Sequence, residues 1–307
     1  MAGTLSILVA VTLPVMASAV ARRQHWKTVQ GANPLGHKHA GDRQAVRQDI
    51  MKQDLWADAG TRFYAVMLVA LGVLGLVVGD FAMVWQDVPK WVPGRTALAY
   101  ICAALELAFG IGVFLRGTRA RVAPFLQVYM LLWLALLRVP SVAGAPAVEG
   151  NWLGAGETSI LLAGAMAIRT GTAADWPERL APYVFGLAVL PCGLAHWVYL
   201  KATAGFIPAY IPGREFWAML TGTGYLLAGA AILLRVLDRL AATLTAVMMA
   251  FITLLVWGPA PVAKPHDRMS WTALIISTLL WAGACVVAEA LRDKPWLSTP
   301  WTKKSEG

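Results

Sequence analysis

Charge is scarce in this chain. Asp, Glu, Lys and Arg make up 14% of its 307 residues, where a soluble domain carries about a quarter. The one substantial polar stretch is residues 22–62, so no soluble catalytic domain fits within these residues. Cysteine is nearly absent. Cys102, Cys192 and Cys285 all fall in apolar runs, and none belongs to a C-x-x-C pair. That removes a disulfide framework and a thiol-exchange motif, and leaves each as a small packing residue. The Gly-rich phosphate loop, H-E-x-x-H and G-x-S-x-G are missing too, and with them the chemistries they carry. His37 and His39 flank Lys38 without a third ligand, and two ligands do not define a metal site. Only His196 lies inside an apolar run, so a bis-His haem has no second ligand.

What the chain has instead is apolar length. Hydrophobic residues make up 58% of it, with 14 Trp. Runs of about 20 residues are long enough to cross a bilayer. They predict spans at 4–21, 63–85, 96–115, 122–140, 152–169, 182–203, 215–234, 240–258 and 271–291. The net charge of +9 invites a nucleic-acid partner, but the positions of the charges argue otherwise. With alternate loops assigned to the cytoplasm, 19 of the 26 Lys and Arg fall on that side. This is the positive-inside bias, and it puts the N-terminus outside and the C-terminus in the cytoplasm. Ala17-Ser18-Ala19 has the form of a cleavage site, yet no basic residue precedes the first run and Arg22-Arg23 follows it. A secretory signal has the opposite polarity, so the first helix is expected to be retained.

Residues 22–62 read as a basic cytoplasmic linker. Its second part places Val46, Ile50 and Leu55 on one helical face beside Arg43, Arg47 and Lys52. Such a helix either lies on an anionic membrane surface or packs against the inner loops. After it the chain repeats itself. Pro89, Pro93, Gly94 and Arg95 return 119 positions later as Pro208, Pro212, Gly213 and Arg214. At the same offset Pro140 returns as Pro259, Pro146 as Pro265, Trp152 as Trp271, and Ala163-Gly164-Ala165 as Ala282-Gly283-Ala284. The expected fold class is therefore an all-α membrane protein. An N-terminal helix (1–21) and the linker precede two tandem four-helix bundles, 63–169 and 182–291, with a cytoplasmic tail at 292–307.

In each bundle the first span ends in an aromatic-proline turn, Val88-Pro89-Lys90-Trp91-Val92-Pro93-Gly94-Arg95 and Ile207-Pro208-Ala209-Tyr210-Ile211-Pro212-Gly213-Arg214. Proline cannot continue a helix there. Trp91 and Tyr210 suit headgroup depth, and Arg95 and Arg214 can meet lipid phosphate or a nearby carboxylate. All four are expected as interface anchors. The second bundle adds Phe185-Gly186-Leu187-Ala188, Gly193-Leu194-Ala195-His196-Trp197-Val198-Tyr199, Arg239-Leu240-Ala241-Ala242, Leu254-Leu255-Val256-Trp257-Gly258-Pro259 and Trp281-Ala282-Gly283-Ala284. These residues resemble the DoxX-like membrane family, a bacterial four-helix unit, over 182–291 and more weakly over 63–169. Members often carry His before the proline of the third span. Here Arg138 stands there in one half, and Trp257 or Gly258 in the other. The resemblance implies a membrane subunit that accompanies a redox complex, with quinone as the associated cofactor.

The halves differ most in charge. Asp80, Glu106, Arg138 and Glu157 fall within spans of the first half, whereas the second has Tyr225, Trp257 and Ile276 opposite the last three. A charge in hydrocarbon costs about 2.5–3.5 kcal/mol, so these groups are expected to converge in the first bundle. Arg138 is the one cation the spans offer the three carboxyls. Glu106, deepest and farthest from Arg138, is the candidate to carry a proton. With His196 they form the set of ligand-binding or proton-handling candidates; no catalytic or metal-binding residue is assigned. A polar pocket in the first bundle could accept a quinone headgroup, another small ligand or protons, or could be an ion-paired core. The expected role is a non-catalytic inner-membrane subunit of a redox complex. The alternatives are a small-molecule transporter and a lipid- or protein-binding scaffold. The expected partners are membrane lipids and a redox-complex protein, not nucleic acid.

Overall fold

The computed structural model describes residues 58–171, 174–297 and 299, and every regular element among them is helical. The expected span at 4–21 and residues 22–57 of the linker lie outside the described residues. In chain order the elements are α1 (Ala59–Val78), α2 (Arg95–Phe114), α3 (Arg116–Trp133), a π-helical turn (Leu134–Arg138), α4 (Val139–Gly144) and α5 (Glu149–Met166). Then come α6 (Trp176–Val198), α7 (Leu200–Phe206), α8 (Arg214–Leu233), α9 (Asp238–Ile252), a second π-helical turn (Thr253–Trp257), α10 (Ala260–Ala263) and α11 (Arg268–Ala290).

Seven stretches among the described residues are long and apolar enough to cross a membrane: α1, α2, α3 through α4, α6, α8, α9 through α10, and α11. The protein is an integral, multi-pass, all-α membrane protein. The expected span at 152–169 is α5, which is not among the seven. Its first half carries Glu149, Asn151 and Glu157, and its second half is buried among the other helices.

Two ends of the bundle can be told apart by their connections. One carries the proline turns before α2, α5, α8 and α11; the other carries the arginines around Leu115, Ile168 and Leu234. At the arginine end Asp238 is buried and takes Lys294 Nζ at 2.6 Å and Arg235 Nε at 2.9 Å. The Arg239 guanidinium lies 4.0 Å over the Trp296 ring. Residues just after α11 thus fold back onto the start of α9, where the sequence predicts only a tail.

The helix ends follow from local chemistry. The expected span 63–85 stops at Val78, because Gly79 takes a left-handed φ of 69° and turns the chain. Residues 79–94 then form a loop rather than more helix. The span expected at 182–203 begins earlier, at Trp176, and breaks at Tyr199. Pro140 and Pro259 each lack the amide proton that an α-helix needs and crowd the preceding turn. The ladder just before each slips by one residue: Val139 N–H bonds to Leu134 O, and Gly258 N–H to Thr253 O. A single π turn is the usual result of such a fault.

The helices approach closely at small residues. A Cβ on Gly72 would come within 2.6 Å of Ala103 O and Leu107 N, and one on Gly193 within 2.8 Å of Gly222 O and the Leu226 side chain. Gly110 sits likewise against Ala65 O and Val69, and Gly229 against Gly186 O and Leu190. Ala103, Leu107 and Gly110 stand 119 positions before Gly222, Leu226 and Gly229, while α1 and α6 are offset by 121. Between α5 and α11, Gly164 meets Gly283, its own counterpart at 119, with Gly283 Cα only 2.8 Å from where a Cβ on Gly164 would lie.

Candidate functional site

The loop 79–94, between α1 and α2, forms a plug at the proline-turn end of the bundle. Its apolar residues Phe81, Ala82 and Val88 are buried, and its carbonyls are tied down by three arginines from three different helices. Arg95, the first residue of α2, donates Nε–H to Val88 O at 3.2 Å. Arg138, the last residue of the first π turn, donates to Val84 O at 2.7 Å and Trp85 O at 2.8 Å. Arg268, the first residue of α11, donates to Phe81 O. The loop needs such clamps, since Val84 adopts φ 72°, a region that costs a β-branched residue on the order of 1–3 kcal/mol. Room for the Arg138 guanidinium comes from Gly154, where a Cβ would lie 2.8 Å from its Nη1.

Asp80 is the hub at the mouth of the plug. Its carboxylate accepts from the Phe81 amide at 2.8 Å, from Arg95 Nη1, and from Arg268 Nη1 at 3.1 Å. The Arg95 guanidinium also stacks over the Phe81 ring at 5.2 Å. Partial burial pulls the Asp80 carboxyl upward. The Phe81 amide and the guanidiniums of Arg268 and Arg95 outweigh that and hold it below the usual carboxylate range.

Beneath the plug lies Glu106, 2% exposed, about 16 Å along α2 from Arg95 at 1.5 Å per residue. Its Oε1 accepts from Tyr129 Oη of α3 at 2.8 Å and from Gln86 Nε2 of the loop. The Gln86 amide is itself oriented, because its Oε1 accepts from Ala82 N–H at 2.9 Å. Phe109 and Trp133 pack on the Tyr129 ring, and Phe81 packs on Trp133. Between Asp80 and Glu106 is a cavity of about 10 Å³, lined also by Gln86, Ala103, Arg268 and Thr272. That is the threshold for a single water.

The predicted residues do not all line that cavity. Asp80 and Glu106 line one cavity. Arg138 is not the cation that neutralises them: its donors go to loop carbonyls and to Thr158 Oγ1 at 3.3 Å. The cations on Asp80 are Arg95 and Arg268, so the expectation of a single available arginine is corrected. It failed because both arginines stand at helix starts beyond the apolar runs, and the loop carries Asp80 back to them. Glu157, half-buried on α5, feels the charge of Arg138 and is not among the residues lining that cavity. His196 belongs to the other half; its Nδ1 is 2.7 Å from Cys192 O and its ring is 5.5 Å from that of Tyr225.

Of the expected anchors, Trp91 and Tyr210 are 81% and 76% exposed, and Arg214 is exposed. Arg95 instead turns inward to Asp80, taking the carboxylate rather than the lipid. Sequence reasoning missed Gln86, Tyr129 and Arg268. Tyr129 carried a signal, a hydroxyl in an otherwise apolar run beside Gln127. Gln86 and Arg268 carried none. Among the described residues no three His, Cys, Asp or Glu side chains are grouped closely enough to hold a metal ion.

No family model matches the chain, no curated protein does, and no solved structure does.

Proposed function

We propose that this protein is a non-catalytic membrane subunit of a redox-linked complex, and that its first bundle handles a proton at Glu106. The observation that carries the reading is the Glu106 carboxyl on the wall of a water-sized cavity. It is aimed by Tyr129 and Gln86 and lies beneath a charged mouth formed by Asp80, Arg95 and Arg268. An intramembrane carboxyl in an oriented hydrogen-bond network is the usual element of a proton relay. The set provides one acid, one phenol and room for one bridging water, and no nucleophile with an activating base.

The quinone suggested by the DoxX-like resemblance fits this chemistry but not this space. A carboxyl and a phenol could bond to its carbonyls, yet a cavity of about 10 Å³ admits water and no ring. The charge bias supports an inner-membrane setting with the N-terminus outside and the C-terminus in the cytoplasm. The recurrence of elements and glycine contacts at offsets of 119 and 121 supports a tandem duplication of one four-helix unit, its halves running parallel about an axis near Gly164 and Gly283.

Affinity capture of the full chain from native membranes, followed by mass spectrometry and oxidoreductase assay of the captured material, tests the reading. We expect a redox protein to co-purify, and the activity of the complex to fall at least tenfold with Glu106→Gln. Capture without a redox partner, coupled to solute flux in liposomes, would assign the protein to transport instead.

A further inference from the structure

The second half keeps one arginine of the Asp80 cluster, the counterpart of Arg95, but not the carboxylate at the Asp80 position. Arg214 begins α8 as Arg95 begins α2, and each follows a left-handed glycine, Gly213 at φ 67° and Gly94 at φ 65°. In the register fixed by Gly72 and Gly193, Asp80 corresponds to Lys201. Asp80, Arg95 and Arg268 thus correspond to Lys201, Arg214 and Glu149, and of these Lys201 and Arg214 share a cleft. Lys201 and Arg214 line one open cleft of about 380 Å³ with Gly205, Gly213, Glu215 and Phe216. Among the described residues neither cation takes a hydrogen bond or an ion pair. No side chain caps the first turn of α8, and its residues Arg214, Glu215 and Phe216 line the cleft. Phe216 lines the cleft and is exposed, and Phe206 and Tyr210 are exposed in the segment between Lys201 and Arg214.

We propose that this cleft binds a phosphate group, and that its source is the headgroup of an anionic phospholipid. Lys201 and Arg214 outnumber Glu215, the one carboxylate of the cleft, so the space carries net positive charge and attracts an anion. Phosphate accepts charge-assisted hydrogen bonds from both side chains and from a helix N-terminus together. The exposed rings lie at the depth where acyl chains meet headgroups, which favours a lipid over free phosphate. Glu215 on the rim opposes the anion and tunes the affinity downward.

The test is native mass spectrometry of the purified full chain in non-ionic detergent, titrated with phosphatidylglycerol, with inorganic phosphate in a parallel arm. We expect the unaltered protein to retain phosphatidylglycerol. The Lys201→Gln/Arg214→Gln double variant should bind it at least about tenfold more weakly, as loss of charge-assisted bonds requires. A Lys90→Gln/Arg121→Gln variant removes the same charge elsewhere and should bind normally. Glu215→Gln should tighten binding. Lys201→Asp, which rebuilds the pair of the first half, should abolish binding in a chain that still unfolds cooperatively. Saturation by inorganic phosphate at the same residues, without lipid retention, would keep the anion site and overturn its lipid source. Retention that is equal in the unaltered protein and the Lys201→Gln/Arg214→Gln variant overturns the site itself.

Discussion

Replacing Arg138 by Leu tests whether the loop 79–94 is held as a plug. The variant loses the two guanidinium hydrogen bonds to the loop, to Val84 O at 2.7 Å and Trp85 O at 2.8 Å, and a longer one to Thr158 Oγ1 at 3.3 Å whose hydroxyl keeps its own bond to Gly154 O. Bonds to a charged donor contribute about 1.5–3 kcal/mol each. The Val84 carbonyl lies on the exposed side and can turn to water, so it counts at the low end. The Trp85 carbonyl is partly buried and counts for more. The clamp over the left-handed Val84 is also released, and part of that strain relaxes, which offsets some of the loss. The net is about 3 kcal/mol by the same per-bond values. For a domain of this size each kcal/mol moves the midpoint roughly 2–4 °C, so the variant should melt about 6–12 °C lower. The assay is thermal unfolding of the full chain in detergent, followed by tryptophan fluorescence. Arg121→Leu is the control, since Arg121 is exposed on α3. Equal melting of the two variants would refute the clamp.

Glu106→Leu should lower the midpoint sharply, because it strands the Tyr129 hydroxyl and the Gln86 amide at about 1–3 kcal/mol each. Glu106→Gln keeps an acceptor oxygen and should melt within a few degrees of the unaltered protein by the same reasoning; matching losses in both would count against the network. Gly72→Ala and Gly110→Ala should each destabilise, since their Cβ atoms meet backbone at 2.6 and 2.7 Å, whereas Gly117 has nothing within 4 Å. Gly117→Ala should be neutral or gain up to about 1 kcal/mol from helix propensity, and a drop there as large as at Gly72 would contradict the packing. Asp80 has a folded pKa below its unfolded value of about 3.9, so its stabilisation is fully present above that value and is lost as pH falls through the folded one. The midpoint difference between the unaltered protein and Asp80→Asn should therefore hold from pH 7 to about 5 and shrink below about 4; a difference that grows on acidification would reverse the assignment.

The sequence by itself determined the membrane setting and most of the helices, because burial in lipid demands long apolar runs whatever the tertiary packing. It also marked the faults. Pro140 and Pro259 had to break the α ladder, and Gly94 and Gly213 had to turn the chain, for reasons local to those residues. Pro, Gly, Arg and Trp recur along the chain at one spacing of 119 residues. Only the tertiary structure decided where the charges went. Asp80, Glu106, Arg138 and Glu157 look like one set along the chain, since each lies in or beside an apolar run. The loop after Gly79 sorts them: it carries Asp80 back to Arg95 and Arg268, lowers Gln86 onto Glu106, and occupies Arg138 with its own carbonyls. A loop's path depends on contacts with residues up to 188 positions away, as between Asp80 and Arg268, and no periodicity in the sequence records such a contact.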